Sequence, residues 1–310
     1  MIKGMRITAL VLAAVAWAAV AATQSTPDGS KSRPLRVMLV PADGGTGDGT
    51  KADFLPVFNA VTRLTDLHFE LRVGQSYAAV VEGMANRLSD IAFFGPVTFL
   101  QARERRGAEL LAVAVEKGQS VYYSGIFVRA GSPVTSPAEL RGRRVAFGDV
   151  NSTSSFAFPV AMLLDADLDP ARDLSAVLIT GSHANSLKAL QEGHVDAAAA
   201  SFDSYEKAVR QGALKGDEIH VLAKSVPIPY PPLAMHPGLP AATKAKLRQA
   251  FNTVHTAPGI TRDMIRGYGG NRVDRYDADF PEAEFVAAGA KLVRVTDELK
   301  GRMLKKAAER

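Results

Sequence analysis

The stretch Phe147-Gly148-Asp149-Val150-Asn151-Ser152-Thr153-Ser154-Ser155 decides how this chain is read. Arg144-Val145-Ala146-Phe147 leads into it as an apolar, strand-like run, and Phe156-Ala157-Phe158-Pro159-Val160-Ala161-Met162-Leu163-Leu164 follows as a helix-like one. A cluster of small hydroxyl residues thus stands where a strand hands over to a helix. The first N–H groups of a helix lack partners within it and lie at the positive end of its dipole. Hydroxyls beside them add donors, and the combination suits a small anion. Simple N-capping needs a single hydroxyl. Here Ser152, Thr153, Ser154 and Ser155 stand in a row.

Outward from this loop, strand-like and helix-like segments alternate. Residues 35–40, 68–73, 90–96, 110–115, 122–128, 176–179, 197–201 and 219–223 read as strands. Residues 52–64, 77–86, 184–192, 203–211, 241–251 and 282–290 read as helices. Ser136-Pro137-Ala138-Glu139 has the spacing of a capping box opening a short helix. Alternation of this kind predicts an α/β fold with largely parallel sheets. The proline-rich run Val226-Pro227-Ile228-Pro229-Tyr230-Pro231-Pro232-Leu233 cannot be helical and predicts an extended crossing between two lobes. Two lobes also suit a chain of 310 residues, too long for one small core. Residues 299–310 read as a polar, loosely helical tail.

The first 22 residues form a separate object. Lys3 and Arg6 precede an uncharged apolar run at 7–20, and Ala19-Val20-Ala21 offers a small-residue cleavage site. That is the layout of a secretory signal peptide, and the run is shorter than the roughly 20 residues a membrane span needs. Residues 23–34 read as a flexible leader. The chain has no Cys, which excludes disulfides, thiolate metal sites and a lipoprotein anchor. Its net charge of +5 falls to +3 without Lys3 and Arg6. With the basic residues scattered, nothing points to nucleic acid.

Ser152, Thr153, Ser154, His183 and Asp203 each follow a predicted strand at or near a helix start. Ligands of open α/β sheets bind outside the carboxyl ends of the strands. Three successive strand ends with polar residues should therefore converge. Tyr77 opens a helix after Val73-Gly74-Gln75-Ser76, and of Tyr122 and Tyr123 one faces in and one out. The glycine-rich run at 43–50 has neither a P-loop ending nor a dinucleotide fingerprint. No metal-ligand spacing, nucleophile elbow or assembled catalytic trio is present. We therefore assign no catalytic residue, metal or cofactor.

Several motifs taken in series resemble the periplasmic substrate-binding proteins of phosphate/phosphite/phosphonate ABC transporters. They are Tyr77-Ala78-Ala79-Val80-Val81-Glu82, Asp90-Ile91-Ala92-Phe93-Phe94-Gly95-Pro96, Tyr122-Tyr123-Ser124-Gly125-Ile126-Phe127-Val128-Arg129, Phe147 through Ser154, Gly181-Ser182-His183, and Gly193-His194-Val195-Asp196-Ala197. The resemblance implies a hinged, two-lobed type II periplasmic-binding fold with the ligand cleft between lobes. We divide the chain into signal 1–22, leader 23–34, first lobe 35–124, second lobe 125–228, return to the first lobe 229–300 and tail 301–310. The resemblance further implies that Ser152, Thr153, Ser154 and His183 hold an oxyanion, that Tyr77 closes over it and that Tyr123 lies near the cleft. Asp203 falls where aminophosphonate-binding members hold the ligand amine. Pro231 stands where those members carry a second acid, and that departure favours a small inorganic oxyanion. The cysteine of arsenite-sensing relatives is absent. The expected role is that of a monomeric periplasmic receptor delivering a phosphorus oxyanion to an ABC permease. The rival roles are a sensor presenting its closed form to a membrane histidine kinase, and an enzyme using Ser152 with His183 as base.

Overall fold

The structure, a computed structural model, describes residues 26–42 and 47–309; the signal-like segment and part of the glycine-rich run lie outside them. Its strands are β1 (Leu35–Leu39), β2 (Phe69–Val73), β3 (Ile91–Phe93), β4 (Glu109–Val115), β5 (Val121–Tyr122), β6 (Ser124–Arg129), β7 (Arg144–Phe147), β8 (Ala176–Ile179), β9 (Ala197–Ser201), β10 (Ile219–Lys224), β11 (Ile228–Pro229), β12 (Leu233–Met235) and β13 (Arg275–Asp277). Its α-helices are α1 (Gly47–Thr65), α2 (Tyr77–Ala85), α3 (Pro96–Glu104), α4 (Phe158–Asp165), α5 (Pro170–Asp173), α6 (His183–Gln191), α7 (Phe202–Arg210), α8 (Ala241–Thr253), α9 (Ala283–Ala290) and α10 (Asp297–Ala308).

Two larger sheets hold all of these strands but β5 and β11, which form a small sheet of their own. The first has the order β13-β4-β12-β3-β1-β2 and the second β10-β6-β9-β7-β8. The fold is α/β, as expected, but the sheets are mixed. β1 runs parallel to β2 and β3, whereas β12 is antiparallel to β3 and β4. In the second sheet β7 is parallel to β8 and β9, while β6 is antiparallel to β9 and β10. The cause is the chain's route: β12 arrives from the other lobe and enters the first sheet against the direction of β3. Helix crossovers would have kept the strands parallel.

The chain leaves the first lobe through β5 and returns through β11, and these two pair antiparallel, Ile228 opposite Tyr122 and Pro229 opposite Val121. Such a two-stranded ribbon tolerates Pro229 because no neighbour needs its missing N–H. The tail departs from expectation. α10 is a docked helix: Thr296 caps it, and Leu299 and Met303 are buried in the core of the second sheet with Val295. Spacing of four places these two side chains on one helix face. The chain thus passes between lobes a third time, between α9 and α10.

The second sheet is covered on both faces. Ile126 and Val128 face one cluster and Phe127 the other, and the alanines of β9 alternate likewise. A sheet buried on both sides reads as continuously apolar, which is why β9 lacks polar alternation. Two local expectations are also corrected. The run at 90–96, expected as a strand, is a strand only over Ile91–Phe93, and the unexpected helix α3 opens at Pro96, a residue well suited to the first helical position. Ser136 makes no capping bond; instead the Glu139 carboxylate accepts from the Thr135 N–H at 2.7 Å, ahead of a single 3-10 turn at Pro137–Leu140.

Candidate functional site

The hydroxyl loop is built around a glycine. Gly148 donates its N–H to the Ser155 carbonyl at 3.0 Å, and a Cβ there would sit 2.2 Å from Ser155 Oγ. Asp149 then organises both lobes: one carboxylate oxygen accepts from the Asn151 N–H at 2.8 Å, the other from the N–H of Tyr77 across the cleft at 3.2 Å. Ser152 caps a π-helical turn, Thr153–Ala157, that runs on into α4. Its Oγ accepts from the Ser155 N–H at 3.2 Å. The N–H groups of Thr153 and Ser154 precede any position with a helix partner.

Three side chains here have an acceptor atom occupied by a backbone N–H, which aims their protons elsewhere. Ser152 Oγ accepts from a backbone N–H, as noted. Thr153 Oγ1 accepts from the Val97 N–H at the start of α3, 2.9 Å away in the other lobe. His183 Nδ1 accepts from the Ser201 N–H at 2.9 Å, so the ring proton resides on Nε2. That Nε2 lies 3.5 Å from Ser152 Oγ and 3.5 Å from the Tyr77 hydroxyl. Burial holds the Tyr122 hydroxyl well above its ordinary pKa, with bonds to Ser154 and Thr153 opposing the shift, so it stays a neutral donor.

These groups line one cavity between the lobes. Its walls are Val40, Ala42, Tyr77, Phe93, Gly95, Tyr122, Ser152, Thr153, Ser154, His183, Pro231 and Tyr268, with no Lys, Arg, Asp or Glu among them. The space is about 10 Å³, about one water-sized sphere. The lobes are therefore drawn together around it. His183 also donates its backbone N–H to the Ala42 carbonyl of the first lobe at 3.2 Å.

The structure brings Tyr77, Ser152, Thr153, Ser154 and His183 together and leaves Tyr123 and Asp203 out. Alternation at the hinge turns Tyr122 inward, and Tyr123 lies instead under Lys224, whose Nζ is 3.7 Å from its ring centre. Asp203 is the second residue of α7 and accepts from Asn271 Nδ2 at 3.1 Å. Both line a separate cavity of about 240 Å³ behind Tyr122, with Glu116, Glu206 and Lys224. Burial, and then the charge of Glu116, push the Asp203 pKa up to about 7. Sequence reasoning missed Tyr268, whose hydroxyl is 2.9 Å from Ser201 Oγ and 2.7 Å from Ser204 Oγ and whose ring meets His183 edge-on. It comes from an irregular glycine-rich segment with no periodic signal. Tyr122 was available from strand alternation.

A closed cleft between two α/β lobes, lined by neutral donors, defines a binding protein of the two-lobed, hinged class. Comparison with known proteins narrows the class. Residues 46–277 match the family model for the ABC transporter, phosphonate, periplasmic substrate-binding protein, and the chain belongs to that family. It is 28% identical over 187 residues to the phosphonates-binding periplasmic protein of Escherichia coli K12, covering 59% of this chain and 55% of that protein. It is 28% identical over 240 residues to the phosphate-import protein PhnD of Mycolicibacterium smegmatis, covering 74% of each. Among solved structures, a binding-protein component of an ABC phosphonate transporter from Pseudomonas aeruginosa superposes with a TM-score of 0.71 at 20% identity, covering 88% of this chain and 98% of that one. PhnD1 of Prochlorococcus marinus, in complex with methylphosphonate, gives 0.70 at 16% identity, with 88% and 98% covered. These last two likenesses establish the two-lobed fold. Among the described residues, no helix is long and apolar enough to cross a membrane.

Proposed function

We propose that this chain is a periplasmic receptor, exported by its N-terminal signal, that captures a small phosphorus oxyanion and hands it to an ABC permease. The observation that carries this reading is the convergence of the Ser152, Thr153, Tyr77 and Tyr122 hydroxyls and His183 Nε2–H on one inter-lobe cavity. An anion there meets donors from both lobes, together with the unpaired amides of a helix start. Among the described residues that line the cavity there is no carboxylate to repel it and no fixed cation to hold it. The names of the relatives, phosphonate-binding and phosphate-import, support the ligand class. The cavity as it stands holds about one water-sized sphere, so the lobes would part slightly to seat an ion, and walls that include Phe93, Pro231 and Tyr268 favour the most compact ones, such as phosphate, phosphite or methylphosphonate.

Ligand binding favours closure because only the closed form presents both sets of donors. The group acts by binding, not by catalysis: His183 Nδ1 is held by a backbone N–H, so no carboxylate orients the ring to activate Ser152. Calorimetry with phosphate, phosphite and methylphosphonate tests the reading. A hydrogen bond to a charged ligand contributes about 1.5–3 kcal/mol, so Thr153→Ala and His183→Ala should each weaken binding by roughly tenfold to a hundredfold. Unchanged affinity in both variants refutes the site.

A further inference from the structure

Asp149 makes two contacts of different reach. It follows β7 of the second sheet, and one carboxylate oxygen accepts from the Asn151 N–H at 2.8 Å, closing a local turn two residues on. The other accepts at 3.2 Å from the N–H of Tyr77, which opens α2 beyond β2 of the first sheet. Ser76 caps the same helix from within, its side chain accepting from the Ala79 N–H at 3.1 Å. Helix α2 is therefore capped twice, once by its own chain and once, by a carboxylate, from the opposite lobe. Two further hydrogen bonds cross between the lobes beside the site, Val97 N–H to Thr153 Oγ1 and His183 N–H to the Ala42 carbonyl. Of these three bonds only the one to Asp149 carries a charge, and Asp149 is not among the residues that line the cavity.

We infer that Asp149 is a positioning residue for the anion site: by capping α2 across the cleft it favours closure and sets Tyr77 over the bound ion, without touching that ion. A carboxylate at the positive end of a helix gains from the N–H it accepts and from the dipole behind it. Asp149 has that gain only where α2 stands against the anion loop, so the contact biases the lobes toward the closed arrangement. Tyr77 is the first residue of α2, and its hydroxyl lies 3.5 Å from His183 Nε2. The bond that holds its N–H thus fixes the root of a side chain that reaches the site. This inference rests on the binding reading above for its kinetic test, though its distance test does not.

Asparagine at 149 keeps the local turn, because its side-chain oxygen still accepts from the Asn151 N–H, and it then turns an amide N–H toward the Tyr77 N–H. Asp149→Asn therefore removes the contact between lobes and spares the loop. The native chain has no cysteine, so Leu64→Cys on α1 and Lys188→Cys on α6 give exposed labelling sites, one per lobe. With a fluorophore pair there, Asp149→Asn should raise the dissociation rate of inorganic phosphate by at least about tenfold and keep the association rate within about threefold of native. With spin labels there, ligand-free Asp149→Asn should shift toward longer distances than the native protein. Damage to the loop alone would instead slow association and leave the distances unchanged. A second probe keeps the carboxylate: the α-hydroxy acid analogue of tyrosine at position 77 retains the phenol and puts an ester oxygen in place of the N–H. It should move the dissociation rate and the distances in the same direction. Should phosphate fail to bind the native protein, the ligand assignment falls and the distances still decide the role of Asp149. A native dissociation rate in Asp149→Asn, slowed association as its main effect, or a native distance distribution in either probe overturns the inference.

Discussion

Asp203→Asn isolates the energetic consequence of burying a carboxyl behind the anion site. Burial and the charge of Glu116 raise the Asp203 pKa to about 7, against an ordinary value of 3.8. The native state thus keeps a proton that the unfolded chain has released between about pH 4 and pH 7. Where the native state holds the extra proton, stability falls as pH rises. The fall begins near the unfolded pKa and ends once Asp203 is ionised in both states. At about 1.36 kcal/mol per pH unit, the full difference is about 4 kcal/mol. Asparagine keeps the size of the side chain and an oxygen for Asn271 Nδ2, and it does not titrate. The variant should be more stable than the native protein by under about 1 kcal/mol at pH 4 and by about 4 kcal/mol at pH 8. Urea unfolding at a series of pH values reads this directly. Parallel stability curves across that range would refute the reasoning. The same variant reports on placement. Asp203 lies outside the anion cavity, so phosphate affinity should change less than threefold. A loss of tenfold or more would put Asp203 against the ligand after all.

Two further predictions separate neighbouring residues. Tyr122→Phe should weaken phosphate binding by about tenfold, the worth of one hydrogen bond to a charged group, while Tyr123→Phe, whose ring lies under Lys224, should leave calorimetric affinity unchanged. Equal effects would reject the inward assignment of Tyr122. Met303→Ala should cost about 2–5 kcal/mol in chemical denaturation, because Met303 is buried in the second core, while Leu304→Ala on the exposed face should cost under about 1 kcal/mol. Equal costs would mean that α10 does not dock.

Local pattern made much of the fold legible. The apolar runs of β1, β7 and β9 and the polar residues at their ends follow from the alternation of strand and helix, and they placed Ser152, Thr153, Ser154 and His183 together. Direction was less legible. An apolar run has the same composition whichever way its strand runs, so β12 entering against β3 depended on a route that only the assembled hinge reveals. Half of residues 297–308 are charged, and their two buried side chains, Leu299 and Met303, acquire meaning only with the second core beneath them. At the site, resemblance favoured Tyr123 although alternation allowed either tyrosine, and a single step in register reverses a side chain's face. Tyr268 sits beside Gly269 and Gly270, both at positive φ, in a segment with no period to read.

The placement of Asp203 also bears on how the proposed site, with no cation among its described lining residues, would hold an anion. In the closed form a carboxylate facing the cavity would oppose the ligand's charge at low effective dielectric. The chain instead turns Asp203 toward Asn271 and places the Tyr122 ring between the two cavities. In the proposed site the ligand would face dipoles fixed from behind: Ser155 N–H orients Ser152, Val97 N–H orients Thr153, and Ser201 N–H orients His183. One of these three backing groups, Val97 N–H, belongs to the opposite lobe. Thr153 is thus fully oriented only when the lobes meet, and closure itself completes the donor set.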